Sequence, residues 1–329
     1  MMNAKENYIA LLNHENTDYV PFLLTDGIIL GGQHEFFENG PLEGGFDGFG
    51  CNWIPTASAG GQPALDPSII LLDDVCDWED VVKFPDLDAF DWQKMIDTQM
   101  GDNNPDEKVV EYHTWNSVFL RFSHLLGFEG ALVAMFEEPE ASADLMMAIA
   151  DYKIRLLEHV VKYVQPDSVV HYDDVATGKV LFMSPELYRQ QIKPAHKKIN
   201  DAARELGMIP QIHCCGYCTD IIPDFIDEGA VAWQAAQPSN DICSIIEKYG
   251  DELSVIGGFD SNGAPGMPDT TPERISAEVD RCFDEYGKYG KAYGFFGFFL
   301  GSMDDPATMQ KYGVMIQKVL EHRGIQMPA

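Results

Sequence analysis

The sequence predicts a (β/α)8 TIM barrel of the α/β class, and three observations carry that prediction. From about residue 130 short apolar runs alternate with helix-length amphipathic runs, the order in which βα units feed a parallel sheet. Several helix starts share one device, a capping residue followed by proline. Polar and metal-ligating residue types fall directly after the apolar runs, where a barrel carries its chemistry. The competing architecture is an open, doubly wound sheet.

Seven apolar runs are strand candidates: Val20–Leu24, Ala131–Phe136, Ser168–Asp173, Met208–Cys214, Ala230–Ala236, Leu253–Gly258 and Tyr293–Leu300. Ser184-Pro185-Glu186, Thr271-Pro272-Glu273 and Asp305-Pro306 each place a cap residue before a proline at the first helical position, and Glu138-Pro139 is a weaker version. Gly207, after the run 197–206, fits a helix stop. Before the regular pattern lies an N-terminal extension. It is glycine-rich over residues 40–66 (Gly40, Gly44, Gly45, Gly48, Gly50, Gly60, Gly61) and acidic from Asp73 to Asp97. No internal repeat or low-complexity linker divides the chain, so residues 1–329 are expected to form a single domain.

Lys and Arg number 22 against 53 Asp and Glu, a net charge of −31. A field of that sign repels phosphate backbones and anionic membranes, which argues against nucleic-acid and membrane partners. It suits a solubilising surface, or docking of a more basic partner. No run approaches the ~20 apolar residues of a membrane span. The polar start, Met1 to Tyr8, has no apolar signal core, so a cytoplasmic protein is expected. Seven cysteines are not spread as a disulfide framework, and Cys214, Cys215 and Cys218 crowd beside His213.

Candidate site residues are those at the ends of the predicted strands. His213 and Cys215 are two apart, so alternation turns them to one side, and an imidazole with a thiolate is half of a zinc site. Three alternatives stay open: buried structural cysteines, a redox pair of Cys215 and Cys218, or His213 as a metal-free acid or base. Asp173 and Asp174 are candidate catalytic carboxylates that point to opposite sides if the strand persists, and one of them could simply cap the next turn. Tyr172, Gln237 and Asp260, also at strand ends, are candidate substrate contacts, and Gly301 and Ser302 follow the last run. Trp53 in the glycine-rich loop could stack on an aromatic or macrocyclic ligand. The run Phe295, Phe296, Phe298, Phe299 reads as core. No glycine-rich phosphate loop opens a helix, so nucleotide binding has no support.

Several segments resemble, in order, those of the uroporphyrinogen decarboxylase superfamily. They are His14-Glu15-Asn16-Thr17-Asp18-Tyr19 before Val20-Pro21, Ser184-Pro185-Glu186-Leu187-Tyr188 before Lys193-Pro194, His213-Cys214-Cys215-Gly216, and Lys248-Tyr249-Gly250 before Gly257-Gly258-Phe259-Asp260. The decarboxylases carry an arginine-bearing motif near the N-terminus. The matching stretch here, Phe22 to Gly27, has no arginine. The His-x-Cys-Gly motif is instead similar to that of the corrinoid-dependent methyltransferases, including the methylcobalamin:coenzyme M type and the O-demethylases. That resemblance implies zinc on His213 and Cys215. Relatives often take a third ligand, a cysteine, after the last strand. Leu300-Gly301-Ser302-Met303 offers none, so either a third ligand comes from elsewhere, for instance Cys218, Asp174 or a glutamate, or zinc is absent.

The resemblance further implies methyl transfer in one-carbon metabolism, between a small molecule (an aryl methyl ether, a thiol or tetrahydrofolate) and a corrinoid such as methylcobalamin. The chain has no Asp-x-His-x-x-Gly signature, so the corrinoid is expected on a separate partner protein. The rival readings are a metal-independent decarboxylase using Asp173 or Asp174, and a non-catalytic corrinoid- or tetrapyrrole-binding protein.

Overall fold

The computed structural model describes residues 2–31, 38–56, 63–301 and 305–325. Gly60, Gly61, Ser302 and Met303 lie outside the described residues.

The chain opens with α1 (Ala4–Leu12), capped by Asn3 and Glu6, followed by α2 (Leu23–Asp26) and β1 (Gly27–Leu30). The glycine-rich region forms a small antiparallel sheet, β2 (Gly45–Phe46), β3 (Asn52–Pro55) and β4 (Pro63–Leu65). The acidic stretch contributes α3 (Trp78–Val81) and α4 (Trp92–Met100). After β5 (Val109–Thr114) come α5 (Val118–Leu126), α6 (Phe128–Glu137) and α7 (Pro139–Val160). The pattern continues through β6 (Ser168–Tyr172), α8 (Pro185–Gln191), α9 (Lys193–Glu205), β7 (Ile209–His213), α10 (Ile222–Asp227), β8 (Ala232–Ala236) and α11 (Ile242–Tyr249). It closes with β9 (Ser254–Gly258), α12 (Pro272–Tyr286), β10 (Tyr293–Phe296) and α13 (Pro306–His322).

Seven strands form one all-parallel sheet in the order β1-β5-β6-β7-β8-β9-β10. Strand order never reverses, which rules out the doubly wound alternative. The two ends also approach each other. Phe22 bridges Phe295 in parallel, and the Phe295 N–H donates to the Pro21 carbonyl at 2.8 Å. The sheet is therefore barrel-like, with seven strands among the described residues where eight were expected.

Two cores hold it. Inside, Tyr8, Leu11 and Leu12 of α1 pack on Val109, Ala232 and Ile256, plugging the end where the strands begin. Outside, Val110, Val169, Ile212, Trp233 and Val255 face the helices. The proline-bearing helix starts form as expected: Ser184, Thr271 and Asp305 each accept a backbone N–H from the first turn. Gly207 ends α9 with a φ of +82°, a left-handed conformation that favours glycine.

Three expectations are corrected. Ala131–Phe136 lies within helix α6, where Ala131, Ala134 and Met135 are the buried positions, a helical spacing that the all-apolar run conceals. Val20–Leu24 contributes only the bridge at Phe22 before α2, and the strand follows it as β1. Strand β5 was absent from the expected set because inward-facing Glu111 and His113 break up its apolar character. Among the described residues no single helix is long and apolar enough to cross a membrane.

Candidate metal centre at the barrel mouth

Strand alternation decides which polar side chains meet. On β7 it turns Gln211 and His213 into the barrel, and the chain leaving the strand keeps Cys215 on the same side. On β6 it turns Ser168 and Tyr172 inward, with Asp174 following, while Val169, His171 and Asp173 face the helices. Since β6 and β7 pair with Tyr172 opposite His213, Asp174 and Cys215 emerge side by side at the C-terminal ends of adjacent strands.

The result is a three-residue cluster. One carboxylate oxygen of Asp174, one ring nitrogen of His213 and the Cys215 sulfur all lie within 4.8 Å of one another. His213 Nε2 and Cys215 Sγ are 3.5 Å apart, and the Cys215 N–H donates to Asp174 Oδ1 at 2.7 Å. Gly216 makes the turn that follows. Its φ is +91°, and a Cβ there would stand 2.5 Å from the Thr177 carbonyl oxygen.

The electrostatics follow from burial. Burial pushes the Asp174 carboxyl up to about 6, with Asp173 adding to the rise and the Cys215 N–H opposing it. Burial, then His113, lowers His213 to about 3, so its ring is neutral at ordinary pH. The Cys215 thiol is raised well above its usual value by burial and by Asp174. A neutral imidazole, a thiol and a carboxyl converging on one point suit a divalent cation, whose charge would favour the thiolate and carboxylate forms. The 3.5 Å between His213 Nε2 and Cys215 Sγ also fits: donor distances of about 2.0–2.3 Å from zinc put tetrahedral ligands roughly 3.3–3.8 Å apart.

Cys218 does not join the cluster. It is fully buried, with its sulfur 3.4 Å from that of Cys214 on the far side of the turn. Asp173 is likewise turned away. Its Oδ2 accepts the Phe119 N–H at 2.9 Å, its Oδ1 accepts the Leu120 N–H at 2.8 Å, and Oδ2 lies 2.6 Å from His196 Nε2. It thereby satisfies the exposed amides at the start of α5. Behind it, His196 Nδ1 lies 3.3 Å from Glu228. Burial alone would lower the His196 pKa, but Glu228 and Asp173 outweigh it and raise it to about 9.

Of the candidate substrate contacts, only Tyr172 reaches the cluster. It is partly exposed beside Asp174, and its ring stacks on His213. Trp53 is 6% exposed, donates through Nε1 to Asp47 at 3.0 Å and packs edge-on to His124, so it offers no open stacking face. Gln237 accepts from Asn262 at 2.8 Å, and Asp260 accepts the Gly263 N–H at 2.9 Å within its own turn.

The structure adds residues that the sequence reading passed over. His113 Nε2 lies 3.1 Å from Glu111, and the Tyr172 hydroxyl lies 2.9 Å from His113 Nδ1. Gln211 and Gln234 continue this polar layer beneath His213. Trp115 lies 4.2 Å from Tyr172 between ring centroids. Its backbone is clamped by Glu38 and Lys153, and Asn116 after it holds a φ of +49°, rare for a side-chain-bearing residue. The available signal was alternation: Glu111-x-His113 and Gln211-x-His213 both place polar pairs on the inward face.

Among solved structures, a methyltransferase from Methanosarcina mazei aligns with a TM-score of 0.69 at 15% identity, covering 98% of this chain and 100% of that one. A family 5 xyloglucanase from Paenibacillus pabuli in complex with ligand aligns with a TM-score of only 0.37 at 12% identity, over 92% of this chain and 88% of that one, and carries no argument. No curated protein sequence matches. Residues 116–296, which include Asp174, His213 and Cys215, match the uroporphyrinogen decarboxylase (URO-D) family. Spanning more than half of the sequence and the whole candidate centre, that match establishes that the chain belongs to the uroporphyrinogen decarboxylase family.

Proposed function

We propose that the protein is a zinc-dependent methyltransferase that moves a methyl group between a small molecule and a corrinoid carried by a separate protein. The observation that carries this reading is the convergence of Asp174, His213 and Cys215 at the C-terminal ends of adjacent barrel strands. Three protein donors of mixed type, which would leave the fourth position to water or substrate, are the pattern of a catalytic zinc site. Bound zinc would supply Lewis acidity, polarising an ether oxygen or favouring the thiolate form of a thiol substrate.

The chain's own residues have definable tasks. His213 offers a neutral ring without first having to lose a proton. The Cys215 N–H holds the Asp174 carboxylate in place. Tyr172 braces the ring of His213 and, with Trp115, walls one side of the mouth. The methyl donor or acceptor is an aryl methyl ether, a thiol or a tetrahydrofolate-type pterin. The net charge of −31 suits a partner that docks through a basic face. Decarboxylation of a polyacid fits less well. Phe22 to Gly27 carries no arginine, and Arg121 of α5 is fully buried against Asp47 at 2.7 Å.

The test is metal content and activity together. About one zinc per chain in the wild type, lost in His213→Ala and Cys215→Ser and weakened in Asp174→Asn, is expected. Methyl transfer to a separately supplied corrinoid protein should disappear in the same variants. A metal-replete preparation that binds no zinc would sink this reading and move the decarboxylase forward.

A further inference from the structure

The candidate centre needs His213 to present the lone pair of Nε2, the nitrogen 3.5 Å from Cys215. A neutral imidazole has two tautomers, and only the form protonated on Nδ1 leaves Nε2 free. From the polar layer beneath the centre we infer that Glu111, Gln211 and Gln234 form a directional hydrogen-bond chain whose purpose is to fix that tautomer.

The chain starts from a group that can only accept. Glu111 is fully buried on the inward face of β5, so it requires donors. It receives the Gln211 amide nitrogen. The same nitrogen also donates to Ser168 Oγ at 2.6 Å, and the Ser168 proton is already committed to the Ile209 carbonyl at 2.8 Å. Two independent acceptors therefore fix which way the Gln211 amide faces. Its oxygen must point onward, and there it accepts the Gln234 amide nitrogen at 3.3 Å. That in turn fixes Gln234, the register partner of His213, and leaves its oxygen without a donor.

Gln234 Oε1 and His213 Nδ1 are both buried, neither has a hydrogen-bond partner among the described residues, and their residues stand opposite each other in the register of β7 and β8. The polarity set by Glu111 thus passes through two amides and arrives as an acceptor beneath Nδ1. His113 and Tyr172 complete the constraint on ring orientation. Glu111 Oε2 lies against His113 Nε2, the Tyr172 hydroxyl lies against His113 Nδ1, and Tyr172 lies flat on His213. Outer groups of this kind orient metal ligands without touching the metal. Glu111, Gln211 and Gln234 are accordingly positioning residues.

The inference rests on the metal reading for its purpose but not for its test. Nitrogen-15 histidine NMR of the metal-free protein reads the tautomer directly. The wild type should show His213 protonated on Nδ1. Gln234→Met, which removes the acceptor, should release the preference. Glu111→Gln, which replaces the pure acceptor by a group that can also donate, should weaken it less because Ser168 still orients Gln211. Zinc affinity should fall on the order of 10- to 100-fold in Gln234→Met. Glu111→Gln is nearly isosteric and repeats the test if Gln234→Met does not fold. A wild-type His213 protonated on Nε2, or a tautomer unchanged in the folded variants, would overturn the assignment. The expected tautomer in a protein that binds no zinc would leave the chain standing and reject the metal reading instead.

Discussion

The Tyr172 ring lies flat on the His213 imidazole, with centroids 3.9 Å apart and planes inclined by 19°. The contact joins β6 to β7 at the point where both strands deliver their site residues, and it separates two roles of one side chain. Tyr172→Phe keeps the stack but strips His113 Nδ1 of its partner, which costs about 1–3 kcal/mol for a buried polar atom. Tyr172→Ala also loses the stack and leaves a cavity, at about 3 kcal/mol or more. Denaturant midpoints should fall in that order. Zinc titration should find the phenylalanine variant close to wild type and the alanine variant clearly weaker.

Cys218→Ser is expected to leave zinc stoichiometry at the wild-type level, because its sulfur faces Cys214 and not the cluster. The substitution buries a hydroxyl where the sulfur stands 3.6–3.8 Å from the carbonyl oxygens of Cys214, Cys215 and Gly216, too far for the shorter hydroxyl to bond well, so stability should drop by about 1–3 kcal/mol. Metal analysis beside a thermal melt separates the two effects. Loss of zinc from a folded Cys218→Ser protein would return this cysteine to the ligand set.

His196 gives the fold a pH dependence with a definite sign. Its folded pKa of about 9 lies above the ordinary 6.5, because Glu228 and Asp173 surround it despite the opposing effect of burial. The charged ring therefore contributes stability that is fully present below about 6.5 and is lost as pH rises towards 9. The contribution is on the order of 3 kcal/mol. Denaturant unfolding from pH 6 to pH 9 should show the decline. His196→Gln should flatten that slope while lowering stability throughout, since Asp173 and Glu228 lose their shared cation.

How much of this was legible in the sequence depends on what each residue faces. His213 and Cys215 could be paired from spacing alone, because strand alternation is rigid over two residues. The same rule separated Asp173 from Asp174 but could not say which one faced inward, since that depends on where β6 begins. Cys218 misled because sequence proximity gives no direction once the chain leaves a strand and turns at Gly216. Trp53 misled because a tryptophan in a glycine-rich segment reads as exposed, whereas β2, β3 and β4 bury it. Glu111 and His113 stayed hidden for the opposite reason. Buried polar residues are recognisable only through their partners, and those partners come from strands about 60 and 100 residues later.

Gly216 tests whether the turn, and not only the ligands, builds the centre. Its φ of +91° costs any other residue about 1–2 kcal/mol, and a Cβ would meet carbonyl oxygens of Thr177 at 2.5 Å and Ala176 at 2.9 Å. Those are backbone atoms that cannot rotate aside, so the segment 176–177 must retreat. It is tied to the turn by the Tyr217 N–H, which donates to the Thr177 carbonyl at 2.8 Å, and it begins two residues after Asp174. Its retreat should draw Asp174 away from the Cys215 N–H. Gly216→Ala is therefore expected to lose at least 1–2 kcal/mol of stability, in line with the strain, and to bind zinc more weakly with all three ligands intact. Gly178→Ala is the matched control in the same loop, since a Cβ there meets nothing within 4 Å. Zinc affinity lowered by the first substitution and not by the second would place the effect in the geometry of the turn. Equal affinity in both would mean that the ligands find their positions without it.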